Sequence, residues 1–215
     1  MSKGTLVVIS GFSGAGKGTV INQLRKQYPG YGLSISATSR NKREKEQEGV
    51  NYFYKTREQF EEMIRQGSFI EYAEYCGNYY GTPKAYVQQQ LEQGIDVILE
   101  IEVQGALKVK ETFPEALMLF ITPPSAQELK RRLVARGRED EAAIQKRMER
   151  AVEESRFMDQ YGYIIINQTG MAGECAEEIH RLIQSTHGKP ENCAEFIRDM
   201  QDSLEANTLK SLKGE

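Results

Sequence analysis

The stretch that most constrains this chain begins where the apolar run Thr5-Leu6-Val7-Val8-Ile9 gives way to GFSGAGKGTV, residues 11–20. A buried strand, a glycine-rich turn and a helix in that order are the parts of a phosphate-binding loop. Gly11, Gly14 and Gly16 tolerate positive φ and let the backbone approach a ligand closely. The intervening Phe12, Ser13 and Ala15 carry backbone N–H groups that can turn inward onto phosphate oxygens. The helix expected from about Gly16 adds the positive end of its dipole. Lys17 is placed to reach the β- and γ-phosphates as a mobile charge. The loop departs from the usual pattern at one position: Gly18 stands where Ser or Thr normally helps to hold magnesium, and the hydroxyl comes one residue later, at Thr19. The metal is then held through water and phosphates, or by Thr19, unless Thr19 is an ordinary first-turn residue.

The rest of the chain repeats the alternation that this opening starts. Short apolar runs at Leu6–Ser10, Val97–Ile101, Leu117–Ile121 and Tyr163–Ile166 read as buried parallel strands. Helical stripes lie between or after them: Val20, Ile21, Leu24 and Tyr28; Leu129 and Leu133; Ile144, Met148, Val152 and Ser155; and Ile179, Leu182, Ile183 and Thr186. Strands alternating with helices predict an α/β domain, a parallel sheet core flanked by helices. Residues 34–93 interrupt the rhythm with a charged, tyrosine-rich segment, SRNKREKEQEGVNYFY, and are expected to form an inserted lobe. Residues 125–160 concentrate arginines and read as a lid. The core is then assigned to 1–33, 94–124 and 161–186. The tail, 187–215, carries a helical stripe of Phe196, Ile197, Met200 and Leu204. It is expected to fold back on the core, with a dimer contact or another partner as alternatives.

Composition excludes several classes. The formal net charge of −3 argues against a dedicated nucleic-acid binder. No apolar run approaches the roughly 20 residues of a membrane span. No signal peptide is visible, so a cytoplasmic protein is expected. Cys76, Cys175 and Cys193 have neither zinc-site nor disulfide spacing and read as idle thiols.

A phosphate loop also needs an acid near the end of a neighbouring strand. DVILEIEVQG supplies Glu100 and Glu102, expected to project from one strand face. Four further stretches make the pattern specific: SATSRNKREKE (36–46), VNYFY (50–54), FIEYAEYCGNYYGT (69–82) and ILEIEVQG (98–105). Together with the loop and RLVARGRED, they resemble the guanylate kinases over about residues 4–186. Guanylate kinases belong to the P-loop nucleoside monophosphate kinases, and GKGT is also similar to the loop of adenylate kinases, where the departure at residue 18 is tolerated.

That resemblance implies a P-loop NTPase-type core that transfers the γ-phosphate of ATP to GMP or dGMP, giving ADP and GDP, with Mg2+. It places Ser36, Arg40, Arg43, Glu46 and Tyr52 on the GMP side, where Arg40 and Arg43 grip the phosphate by their guanidinium forks. Tyr52 and Tyr80 donate hydroxyls to the same phosphate. Glu71, Ser36 and Thr82 read the base. A carboxylate can accept both the N1–H and the 2-amino group of guanine, whereas adenine would leave it unpaired. Of Glu100 and Glu102, often aspartates in the family, one would read the guanine amino group and the other lie near magnesium. Arg132, Arg136 and Arg147 would stand over the ATP phosphates, with Arg131, Arg138 and Arg150 left as a solvated basic face. Asn167 would lie near the adenosine, or cap its strand. Lys42 and Lys45 replace the Pro and Gly common in the Arg40–Glu46 loop, which loosens the turn. Such a site must close over two nucleotides to exclude water. A kinase for another nucleoside monophosphate, or a non-catalytic phosphopeptide-binding module, is the alternative. The oligomeric state is left open between monomer and homodimer.

Overall fold

Strand β1, Leu6–Gly11, is buried along its whole length and forms the middle of the core. The computed structural model describes residues 3–44, 46–75, 77–135 and 140–213. After β1 the chain runs through α1 (Lys17–Gln27), β2 (Gly32–Leu33), β3 (Ala37–Thr38), β4 (Phe53–Tyr54), α2 (Arg57–Arg65), β5 (Phe69–Tyr75), β6 (Asn78–Pro83) and α3 (Lys84–Glu92). It continues with β7 (Val97–Glu100), α4 (Val103–Thr112), β8 (Leu117–Thr122), α5 (Ala126–Ala135), α6 (Glu141–Ser155), β9 (Tyr163–Ile166), α7 (Ala172–His187) and α8 (Ala194–Lys213).

The core sheet has the order β2-β7-β1-β8-β9, and every pairing in it is parallel. The expected strands are found as the neighbours β7, β1, β8 and β9, but β9 at the sheet edge is not buried as expected: Tyr163, Ile164 and Ile166 are exposed and only Ile165 is buried. The register sets Val8 against both Leu99 and Met118. Because the strands run in one direction, their C-terminal ends share one edge, where ligands bind in open α/β sheets. That edge receives Gly11, Glu100, Thr122 and, just past β9, Asn167. Strand β2 is only two residues long and has no apolar run to announce it. Helices α1 and α7 pack on the sheet through Val20, Ile21 and Leu24, and through Cys175, Ala176, Ile179 and Ile183.

The inserted segment builds a sheet of its own, in the order β4-β3-β6-β5, mostly antiparallel. Its core is aromatic. Phe60, the buried residue of α2, stacks on Phe69 at 4.3 Å and on Tyr79 at 5.2 Å between ring centroids. Helix α2 starts with a complete capping box between Thr56 and Gln59. The sequence pattern marks this region as an insertion without showing its strands, because β3 and β4 are two residues each and the longer β5 and β6 do not alternate apolar with polar residues.

Two expected faces differ in the structure. On α6 the buried residues are Ile144, Ala151 and Glu154, whereas Val152 and Ser155 are exposed. A carboxylate on the inner face shifts the buried stripe away from the purely apolar positions. On α8 the stripe of Phe196, Ile197, Met200 and Leu204 is exposed rather than packed on the core. The turn before it is fixed by Asn192 Nδ2 donating to the Thr186 carbonyl at 2.7 Å. Cys175 is buried and Cys193 half-buried, both as thiols. Arg136, Arg138, Lys45 and Cys76 lie outside the described residues. Among the described residues no helix is long and apolar enough to cross a membrane.

Phe60→Ala removes the aromatic centre of the inserted sheet and should cost about 3–5 kcal/mol. Denaturant unfolding followed by tyrosine fluorescence should show the inserted sheet melting before the core sheet. A midpoint equal to that of the parent would contradict the role given to Phe60.

Candidate active site

β1 ends in a turn that admits only glycine at two points. Gly11 has φ 147°, and a Cβ there would lie 2.0 Å from the Ile121 carbonyl oxygen of β8. Gly16 has φ 92° at the N-cap of α1, and a Cβ there would meet Asn167 Nδ2 at 2.6 Å. Between them the loop closes by an Ala15 N–H to Phe12 carbonyl bond of 3.0 Å. No acidic residue occupies the first turn of α1, so the helix terminus keeps its positive potential for an anion. Lys17 lies along the loop and donates to the Gly11 carbonyl at 2.7 Å.

The outer side of the loop is pinned from two elements. Buried Asn167 donates through Nδ2 to the Ala15 carbonyl at 2.8 Å. Arg132 of α5 donates to the same carbonyl at 3.1 Å and to the Asn167 carbonyl at 2.8 Å. Glu128 accepts from Arg132 at 2.7 Å and from Thr169 at 2.6 Å. Hydrogen bonds from Arg131, Thr169 and Arg132 hold the Glu128 carboxyl well below the usual carboxylate range. Helix α6 meets the other side of the loop, where the Arg147 guanidinium donates to Ser13 Oγ.

Glu100 and Glu102 diverge. Strand β7 ends at Glu100, so its alternation does not extend to Glu102, which sits at the N-cap of α4. The Glu100 carboxylate oxygens lie 3.9 and 4.0 Å from where a Cβ on Gly18 would be. Water reaches Glu100, yet desolvation by the surrounding protein pushes its pKa up, while the charge of Lys17 pulls it down. Glu102 instead accepts from Arg150 of α6 at 2.6 Å. Thr19 is exposed on α1.

The inserted lobe presents a second polar set. Arg40 donates to both oxygens of Glu46, at 2.8 and 3.0 Å. The Arg43 backbone N–H donates to Glu46 at 2.9 Å, and the Tyr54 hydroxyl at 2.8 Å. With Arg40 the largest contributor, these donors pull the Glu46 pKa down to about 2. The Arg40 guanidinium stands 5.5 Å from the Tyr52 ring centroid, and Tyr52 meets Tyr80 edge-on at 6.0 Å. Deeper in the lobe, Thr82 Oγ1 donates to Glu71 at 2.7 Å. A Cβ on Gly105 of α4 would lie 3.0 Å from the other Glu71 oxygen. The lobe acid therefore reaches the core sheet's own helix. Burial pushes the Glu71 pKa up, opposed first by its bond from Thr82. Ser36 is half-buried beside this set, its carbonyl accepting from Phe53 N–H at 2.9 Å.

A phosphate loop, an acid-lined lobe and an arginine-bearing helix pair follow one another along the chain. Residues 3–186 match the guanylate kinase family model. The chain belongs to the guanylate kinase family. It is 45% identical over 203 residues to a guanylate kinase of Oceanobacillus iheyensis, covering 94% of this chain and 98% of that one. It is 49% identical over 193 residues to one of Halalkalibacterium halodurans, covering 90% and 94%. The crystal structure of guanylate kinase from Anaplasma phagocytophilum superposes with a TM-score of 0.67 at 30% identity, over 87% of this chain and 88% of that one.

The structure gathers Phe12, Ser13, Gly14, Ala15, Lys17, Gly18, Glu100, Arg132, Arg147 and Asn167 around one loop. Arg40, Glu46, Tyr52 and Tyr80 form a second group, and Glu71 and Thr82 a third. The Arg43 side chain is exposed. Asn167 faces the loop backbone through its bond to Ala15, and Arg150 is exposed with the i,i+4 pair to Glu154 expected of a basic helix face, while it also reaches Glu102. Tyr54, Glu128, Thr169, Gly105 and Glu154 were not legible in the sequence. Each acts through a partner distant in the chain, or through a polar side chain in a charged run.

Glu71 gives a pH test. A carboxyl whose folded pKa is raised above its ordinary 4.5 destabilises the folded state when ionised, so native stability should rise as pH falls through that raised value. If Glu71 is the acceptor for guanine it must be ionised, so the KM for GMP should rise over the same window. Glu71→Gln should raise KM at neutral pH and flatten this profile. An unchanged acid limb in that variant would remove Glu71 from the base site.

Proposed function

We propose that this chain transfers the γ-phosphate of ATP to GMP or dGMP, as a nucleoside monophosphate kinase of purine nucleotide metabolism in the cytoplasm, through the residues gathered above. The observation that carries the assignment is the Glu71–Thr82 pair set against α4 at Gly105, on the same molecule as an intact glycine loop with Lys17. An acid backed by a hydroxyl donor complements the donor edge and the O6 of guanine, and it disfavours adenine by leaving a buried acceptor unpaired.

The donor nucleotide binds with its phosphates over Gly11–Thr19, and its adenosine lies towards Arg132 and Asn167. Arg147, with Lys17, stabilises charge that develops on the transferring group, whereas Arg132, which the resemblance also places there, would first have to exchange its bonds to the Ala15 and Asn167 carbonyls. Arg136 would join them by family resemblance. The GMP phosphate lies against Arg40, Arg43, Tyr52 and Tyr80. Glu46 acts through Arg40, since its acceptors are taken by Arg40, Arg43 and Tyr54. Ser36 lies at the base edge with Thr82. No general base is needed, because the attacking phosphate oxygen is already anionic.

Magnesium fits beside the loop. The Glu100 carboxylate borders the space that a residue-18 side chain would fill, which suits a hydrated cation that keeps several waters. It would neutralise charge shared by the β- and γ-phosphates. Glu102 can contribute only after exchanging Arg150, and Thr19 only from an exposed position. The tail at 187–215 stands apart from both nucleotide sites in this reading.

Lys17→Ala should lower kcat by roughly 10²–10³-fold, while GMP binding by calorimetry stays at the parental affinity. Turnover at the parental rate in that variant would refute the mechanism.

A further inference from the structure

One turn from Arg147, helix α6 carries an ion-pair cluster of Arg150 with Glu154 and Glu102 that the phosphate-loop reading does not use. Arg147, Arg150 and Glu154 are spaced three and four residues apart, so they share one side of the helix. Arg150 spends its fork on two different carboxylates: Nε donates to Glu154 at 3.0 Å and Nη2 to Glu102 at 2.6 Å. Glu154 belongs to the lid helix and Glu102 to the core, at the N-cap of α4.

We infer that Arg150 is a positioning residue that ties α6 to the core through Glu102 and so seats Arg147 over the phosphate loop. Three features support this. First, α6 has few buried residues for its length, Ile144, Ala151 and Glu154, so apolar packing alone fixes its placement weakly. Second, the anchor is rigid, because α4 is held by buried Val103, Ala106 and Val109 immediately after Glu102. Third, the Glu154 side chain is only 9% exposed, against 48% for Arg150 and 63% for Glu102. A buried carboxylate is costly unless a cation meets it, so Glu154 holds Arg150 in the one orientation that also reaches Glu102. Desolvation, reinforced by Glu102, pushes the Glu154 pKa up, while Arg150 and Lys17 oppose that shift. The Tyr161 hydroxyl is buried in the same cluster, and burial raises its pKa to about 12. The tie holds the helix one turn beyond the point where Arg147 bonds Ser13.

The inference rests on the reading of Arg147 as an arginine of the transferring phosphate, and the test separates the two. Arg150→Gln, Arg150→Lys, Arg147→Gln and the double variant R147Q/R150Q are compared by steady-state kinetics on the full chain, with thermal midpoints measured on the same samples. Arg147→Gln should lower kcat by roughly 10²-fold. Arg150→Gln should lower kcat by about 3–5-fold, the scale of a partly exposed ion-pair network, with the KM for GMP unchanged. In the R147Q background it should add nothing, because its effect passes through Arg147. Arg150→Lys keeps the charge but not the fork and should recover only part of the loss. A parental kcat in R150Q, or a loss that multiplies with that of R147Q, would overturn the inference. A parental kcat in R147Q would overturn the reading beneath it.

Discussion

The carbonyl of Ala15 is the point on which the site depends. A loop that turns its N–H groups inward to phosphate turns carbonyls outward, and a buried carbonyl needs a donor. Asn167 and Arg132 both supply one. Asn167 reaches the loop because β9 pairs with β8 and β8 with β1, which places the end of β9 beside the turn after β1. Arg132 reaches it because α5 follows β8 directly. The sheet order thus fixes the shape of the loop, and a Gly16 with no side chain leaves room for the Asn167 amide.

Around that loop and in the lobe, cations are oriented by acceptors of the protein itself. Lys17 is laid on a carbonyl, Arg132 is aligned by Glu128, Arg40 by Glu46, and Arg150 by Glu154. Each acceptor limits the side-chain freedom that binding would otherwise have to remove. The lobe repeats the design with Tyr54 as the outermost support, bonded to the acid that holds Arg40.

Much of this was legible in the residues. The apolar runs of β1 and β8 are buried along their whole length and that of β7 up to Glu100, whereas β9 at the sheet edge was legible by its apolar residues although only Ile165 is buried. The loop was legible because glycine, lysine and helix start are local in sequence. The lobe's strands were not, since Ala37–Thr38 and Phe53–Tyr54 are two-residue pairings set by partners far along the chain. Glu102 misled the strand alternation because β7 stops at Glu100 and the next turn belongs to α4. Arg150 looked like a solvated residue because its partner Glu102 is 48 positions away. The exposed stripe of α8 shows that amphipathic spacing alone does not say what a helix packs on.

The claim that joins these parts is that one cleft reads guanine through Glu71 and Thr82 while the loop holds ATP. It is tested most directly by a coupled ADP-release assay that offers GMP, dGMP, AMP, CMP and UMP in turn under identical magnesium and ATP. The account predicts rapid turnover with GMP, and with dGMP, and little with the other three. Preference for AMP, or equal rates across the panel, would contradict it.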